Sequence, residues 1–272
     1  MSYSFQGKTA LITGAASGIG AALAHKLADQ GCRLALVDLN GEGVTAIANS
    51  LRSNSCAVTA HILDLADASA ITALPQEMTE SHPGVDLLFN NAGAALGGAF
   101  IDVKADDFEW LIDVNFHSVV RMTRAFLPML LKSPDARLIN VSSVFGLIGP
   151  PGQTAYAASK FAVRGFTEAL RHELAQENVV VHTVLPGGIK TNIARNARIN
   201  LEDMSAVEER VKATEANLIT PPEKAAETIL RGVDRGTPRI LIGRDARLIS
   251  LLERLTPTGA TRLVMKLKGN KP

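Results

Sequence analysis

At 272 residues, with 46% hydrophobic and 20% charged side chains, the chain can bury a sizeable core as one large α/β domain or two small ones, and no linker composition divides it. A formal charge of +1, from 28 basic and 27 acidic residues, gives no reason to expect nucleic acid or an acidic partner. Cys32 and Cys56 suit neither a disulfide framework nor a metal site and are expected to be reduced, buried thiols; no metal is expected, and with no apolar leader and no run of about 18 apolar residues the expectation is a cytoplasmic protein.

Residues 9–13 predict a short buried strand, followed by Gly-Ala-Ala-Ser-Gly-Ile-Gly and a helical pattern over 21–30 that Gly31 ends. A second apolar strand at 33–37 ends in Asp38, after which Asn40 can cap a helix running to about Ser53. A third strand at 57–63 ends in Asp64. A helix at 66–81 then leads past Pro83 and Gly84 to a fourth strand, 85–89, closed by Asn90-Asn91-Ala92-Gly93. One long helical stretch over 104–132 contains Asn115. Strands at 137–141, 179–185 and 239–242 and a helix at 156–176 complete the alternation. Strands and helices alternating in this way imply right-handed crossovers and an α/β, doubly wound (Rossmann) fold: a seven-stranded parallel sheet with helices on both faces. The organisation expected is a single dinucleotide-binding and catalytic domain over 1–243 with a C-terminal extension over 244–272.

Gly14, Gly18 and Gly20 surround the turn between first strand and first helix, spaced G-x-x-x-G-x-G. That departs from the commoner G-x-G-x-x-G, but the physics is the same: glycines let the backbone approach a pyrophosphate, and the helix start favours its negative charge. A plain tight turn is the bland alternative, which the position after the first strand of an α/β chain outweighs. Gly7-Lys8-Thr9 fails as the end of a P-loop, because the required upstream glycine has no room. Asp38, at the tip of the second strand, could take both hydroxyls of an adenosine ribose and would repel a 2′-phosphate. With no basic residue among Ala15, Ala16, Ser17 or Leu39, the sequence favours NAD(H) over NADP(H).

Tyr156 and Lys160 lie four residues apart on a predicted helix, one turn apart on one face. An ammonium beside a phenol stabilises the phenolate, lowers a pKa that is ordinarily about 10, and makes the tyrosine a plausible acid/base. For a lone pair the alternative is a packing tyrosine and a solvated lysine. Ser143, at the end of the apolar run 138–141 and before a Gly- and Pro-rich loop, offers a second hydroxyl.

Together these residues resemble the short-chain dehydrogenase/reductase family over about 8–242, with its motifs in order. The Thr-Gly-x-x-x-Gly-x-Gly turn is 13–20, the adenine-site acid is Asp64, and Asn-Asn-Ala-Gly is 90–93. Asn115, Ser143, Tyr156 and Lys160 match the catalytic residues. Pro186, Gly187 and Thr191 match the nicotinamide-side Pro-Gly-x-x-x-Thr. The resemblance implies that Tyr156 exchanges the proton of the substrate hydroxyl while hydride passes between its carbon and nicotinamide C4. Ser143 would hold the substrate oxygen, Lys160 would tune the tyrosine and hold the nicotinamide ribose, and Asn115 would hold a relay water through its main chain; a plain helix-interior polar residue is the alternative for Asn115. The cofactor set it implies is Gly14, Ser17, Gly18, Ile19, Gly20, Asp38, Asp64, Leu65, Asn91, Ala92, Gly93, Tyr156, Lys160, Pro186, Gly187, Ile189 and Thr191.

The resemblance makes 188–220 the substrate loop, with Ile189, Ile193, Ile199, Leu201, Met204, Val207, Val211, Leu218 and Ile219 as its apolar members. With Leu96, Phe100, Val144, Phe145, Leu147 and Ile148 on neighbouring loops, the expected pocket is apolar and suits a hydrophobic secondary alcohol or ketone. Lys190, Arg195 and Arg198 are the cations that could grip an acidic substrate, and the two arginines read as solvated. From Arg244 onward seven basic residues face two acidic ones among two amphipathic helical pieces, about 246–255 and 258–268. Packing on the same domain or a neighbouring subunit is the favoured reading, with contact to an anionic membrane surface as the alternative. A homo-dimer or homo-tetramer built on the two long helices is implied by the family. The competing functional readings are an NADP(H)-dependent ketone reductase and a catalytically silent dinucleotide-binding regulatory protein.

Overall fold

A computed structural model of the chain describes residues 3–52, 57–199, 212 and 215–267. The first half runs β1 (Thr9–Thr13), α1 (Gly18–Asp29), β2 (Arg33–Asp38), α2 (Gly41–Leu51), β3 (Val58–Ile62), α3 (Ala68–Thr79), β4 (Leu87–Asn90), β5 (Leu96–Gly97), α4 (Ala105–Ile112), a π turn (Asp113–His117) and α5 (Ser118–Lys132). The second runs β6 (Ala136–Val141), a 3-10 turn (Val144–Gly146), α6 (Thr154–Glu173), β7 (Val179–Pro186), β8 (Arg198–Ile199), α7 (Pro222–Asp234), β9 (Arg239–Ile242), α8 (Arg244–Leu255) and α9 (Ala260–Leu267). Seven strands form one parallel sheet in the order β3-β2-β1-β4-β6-β7-β9, the doubly wound architecture that the alternation predicts. The order reverses between β1 and β4. At such a switch point the loops leaving the two carboxyl ends diverge and open a crevice.

Strands covered on both faces have no reason to alternate, and every residue of β1, β4 and β6 is buried. On one face Ile12, Leu34 and Phe89 pack beneath Leu23, Leu27 and Ile229 of α1 and α7. On the other, Leu11, Leu88 and Leu138 pack beneath Ile71, Phe126 and Leu170 of α3, α5 and α6. A third cluster joins Ile249, Ala260 and Val264 of α8 and α9 to Val144, Leu147 and Ile148 after β6. The C-terminal helices thus fold back against the loop that carries Ser143.

Three features differ from the sequence reading. Helix α1 begins at Gly18 rather than 21, so Gly18 and Gly20 form its opening turn. The stretch 104–132 is α4 and α5 joined by the π turn at Asp113–His117, a wider turn that places Asn115 fully buried between them. A small parallel sheet, β5 with β8, ties the loop after β4 to the loop after β7. Asn40 caps α2 as expected, its Oδ1 accepting from Gly43 N at 3.0 Å. Cys32 is a buried thiol whose Sγ donates to Phe5 O at 3.1 Å; Cys56 and the expected helix end at Ser53 lie outside the described residues.

Candidate active site

Thr13 ends β1 and fixes the start of the crevice. Its Oγ1 accepts from the backbone N–H of both Asn91 and Ala92, at 3.0 Å each, so the Asn-Asn-Ala-Gly segment is latched to the glycine turn. Asn91 Nδ2 donates to Thr13 O at 2.9 Å and to Gly14 O at 3.3 Å. A Cβ on Gly14 would come within 2.8 Å of Ala92 Cα, one on Gly20 would overlap Gly14 O, and one on Gly18 would lie 2.8 Å from Thr191 Cγ2. The turn is therefore clasped between the loop after β4 and the loop after β7, and only glycine fits. Ser17 precedes α1 without a side-chain cap, and the first turn of α1, which includes half-buried Ile19, carries no acid; the positive end of the helix is left to an anion from outside. At the tip of β2, Asp38 Oδ2 accepts from Ala16 N and Oδ1 from Asn40 N, each at 2.9 Å, which places the carboxylate at the rim of the turn. Asp64 is exposed at the end of β3, its Oδ1 accepting from Ala66 N at 2.9 Å, with Leu65 buried beside it.

Asn115, Gly93 and Lys160 meet. A Cβ on Gly93 would sit 3.1 Å from Asn115 Oδ1 and 3.2 Å from Lys160 Nζ. The Asn115 amide is fully used: Oδ1 accepts from Ala94 N (2.8 Å), while Nδ2 donates to Ala94 O (3.0 Å) and Ser159 Oγ (3.1 Å). Lys160 is buried, with Nζ donating to Val141 O at 3.2 Å and its carbonyl accepting from Ser142 Oγ at 2.7 Å. Ser143 is also buried; its Oγ accepts from Phe145 N at 3.1 Å, which leaves the hydroxyl proton to donate elsewhere. Phe145 stands edge-on to Tyr156, ring centroids 6.0 Å apart.

The electrostatics of the pair differ from the sequence expectation. Lys160 Nζ is 5.8 Å from the Tyr156 ring centroid, within cation–π range. Yet burial raises the phenol pKa, against a smaller lowering by Ser143, and burial lowers the Lys160 ammonium to about 8. Desolvation opposes the charged form of both groups, and it outweighs the lowering expected from an ammonium one turn away. Lys160 remains mostly protonated at neutral pH.

On the far side of the crevice Gly187 N donates to Ile242 O (2.9 Å) and Gly188 N to Asp245 Oδ2 (2.8 Å), with Pro186 and Ile189 buried. Asp245, in the first turn of α8, packs so closely under Gly187 that a side chain there would overlap its carboxylate. Sequence reasoning missed Asp245, whose only signal is an acid at a helix start two residues after Gly243. Ser142 was missed likewise, although a Ser-Ser pair at a strand end marks it.

The sequence model of the short chain dehydrogenases matches residues 8–202. The chain belongs to the short-chain dehydrogenase/reductase family. SadH of Mycobacterium tuberculosis, named as an oxidoreductase, is 42% identical over 264 residues, 96% of this chain and 95% of that one. The oxidoreductase UcpA of Escherichia coli is 36% identical over 225 residues, 81% and 85% of the two chains. Among solved structures, a short-chain dehydrogenase/reductase from Burkholderia phymatum, in complex with NAD, superposes with a TM-score of 0.83 at 30% identity, covering 93% of this chain and 96% of that one.

Several residues expected to line a substrate pocket do other work. Val144, Leu147 and Ile148 are buried against α8 and α9, and Leu96 is buried with Leu111 and Ala155. Phe100 is 68% exposed. Arg198 is exposed, as expected, but also held: Nη1 pairs with Asp107 Oδ1 at 2.6 Å and the guanidinium lies 3.5 Å from the Trp110 ring centroid, pinning β8 over α4. Arg195 pairs with Glu215 on the surface. Leu201, Met204, Val207 and Val211 lie outside the described residues.

Proposed function

We propose that this short-chain dehydrogenase/reductase interconverts a hydrophobic secondary alcohol and its ketone with NAD(H). The observation that carries the reading is the chain of contacts from Gly93 to Lys160 and Asn115, from Lys160 to the Tyr156 ring, and from Tyr156 to the Ser143 hydroxyl. The nicotinamide dinucleotide fits the residues present: a glycine-only turn at an uncapped, acid-free helix start for its pyrophosphate, and the Asp38 carboxylate at the turn's rim for its adenosine ribose. When bound, it supplies the hydride acceptor or donor. Asn91, Ala92 and Gly93 on one wall and Pro186, Gly187, Ile189 and Thr191 on the other would hold it. The NAD-bound Burkholderia relative supports the choice of NAD.

Tyr156 gives or takes the proton at the substrate oxygen, beside the Ser143 hydroxyl, which accepts from Phe145 N, hydrogen-bonds the phenol, and would donate its O–H to the substrate oxygen once substrate is seated. Lys160, with one donor spent on Val141 O, keeps two N–H bonds for the nicotinamide ribose. Asn115 positions Gly93 and Ser159 with its side chain, so any relay through it runs by its main chain. Phe145 beside Tyr156 gives the cleft an apolar wall. The catalytic domain is residues 1–243, working as a homo-dimer or homo-tetramer across α5 and α6.

The test is turnover at the reduced-nicotinamide absorbance band with a panel of hydrophobic alcohols and ketones, each with NAD(H) and NADP(H). Turnover with NAD(H) supports the reading. Faster turnover with NADP(H) would overturn the cofactor, and tight NADH binding without turnover on any substrate would favour a silent dinucleotide binder.

A further inference from the structure

The C-terminal hairpin is the largest feature that the proposed chemistry leaves unexplained. Its inner stripe, Ala246, Ile249, Ala260 and Val264, is buried against the loop after Ser143. The opposite face is not covered by any described residue. Leu248 is 47% exposed, Leu251 52%, Leu255 69%, Leu263 39% and Leu267 69%. Spaced at 248, 251 and 255 on α8 and at 263 and 267 on α9, they share an outward stripe on each helix.

Charge selects what covers that stripe. Both acids of the hairpin turn inward: Asp245 accepts from Gly188 N, and Glu253 lies 3.8 Å from Arg164 of α6. The outward charges are all positive, Arg244, Arg247, Arg254, Arg262 and Lys266, all of them exposed. A two-fold copy of the same face would set these cations against their own kind. An anionic surface would neutralise them while taking up the leucines, the pattern of a helix lying in a membrane interface. No helix among the described residues is long and apolar enough to cross a bilayer, so the contact is a surface one.

We infer that α8 and α9 dock this enzyme onto anionic lipid, leucines in the headgroup boundary and arginines on the lipid charges. Residues behind the same hairpin support the loop of Ser143, so the docked face backs directly onto the site.

The experiment is flotation of the full chain with vesicles of phosphatidylcholine alone or with a third phosphatidylglycerol, with light scattering of the free protein. Binding is expected only to the anionic vesicles, reversed by high salt. Arg247→Gln with Arg254→Gln is expected to weaken it by roughly 25-fold, about fivefold per charge. Leu251→Glu with Leu255→Glu, both exposed positions, is expected to abolish it while leaving the free protein's mass and melting temperature unchanged. No flotation with anionic vesicles, flotation that neither pair weakens, or a fall in oligomer mass in the leucine variant would overturn the inference; the last would make the face an interface between copies. None of these readouts depends on turnover, so failure here is distinct from failure of the proposed reaction.

Discussion

Replacing Asn115 by alanine separates two roles that a catalytic motif leaves merged. The side chain is fully buried and makes three hydrogen bonds, two to Ala94 and one to Ser159. Each is worth about 1 kcal/mol net, and Ala94 is only half-buried, so Asn115→Ala should cost roughly 3 kcal/mol. For a domain this size that is a fall in Tm on the order of 10 °C. Ser159→Ala, which removes one of the three partners, should cost about 1 kcal/mol. Urea unfolding at fixed m-value and a thermal melt measure both. Activity should fall with stability, because Gly93 is seated against Asn115 Oδ1 and Lys160 Nζ. An Asn115→Ala protein that melts within about 2 °C of the parent yet has lost turnover would refute the strut and return the side chain to the chemistry itself.

Three further outcomes follow from the geometry. Asp38→Ala should raise the NADP/NAD ratio of kcat/KM by at least about tenfold, the worth of about 1.4 kcal/mol of removed repulsion; an unchanged ratio in steady-state kinetics would contradict the assignment. Gly20→Ala brings a methyl onto Gly14 O, so the turn must open; NADH titration should show weaker binding, and parent-like affinity would mean that the turn is not held as tightly as described. His182 is fully buried, with Nδ1 2.7 Å from Thr237 O, and burial pulls its pKa down to about 4 from 6.5. Between those values the unfolded chain holds the extra proton, so stability is lost as pH falls from 6.5 to 4, by about 3 kcal/mol. Denaturation curves at the two pH values should show that slope flattened in His182→Gln, and an unchanged slope would assign the acid sensitivity elsewhere.

The strands and motifs were legible because their causes are local. Apolar runs ending in Asp38, Asp64 and Asn90 mark strand tips, and the glycines of the turn stand out by their spacing alone, although the contacts that require Gly14 and Gly18 come from Ala92 and Thr191, far along the chain. What escaped depends on distant partners. The π turn interrupts a sequence that is helical throughout, because Asn115 has to meet Ala94, 21 residues away. β5 and β8 have two residues each, too few for any periodicity, and pair across about 100 residues of chain, with Arg198 also reaching Asp107 of α4, 91 residues away. Leu147 and Ile148 look like pocket residues until α9 is seen to cover them. The direction of the Tyr156 shift is set by how deeply the fold buries it, which a four-residue spacing does not encode.

The most direct measurement pairs turnover with cofactor binding in Tyr156→Phe. If the phenol carries the proton, NAD(H)-linked turnover of the best alcohol should fall by about 10²–10⁴-fold, the usual worth of a positioned acid/base, while NADH fluorescence titration still shows binding close to the parent's. Turnover within tenfold of the parent, with NADH bound normally, would remove Tyr156 from the reaction and with it the proposed chemistry.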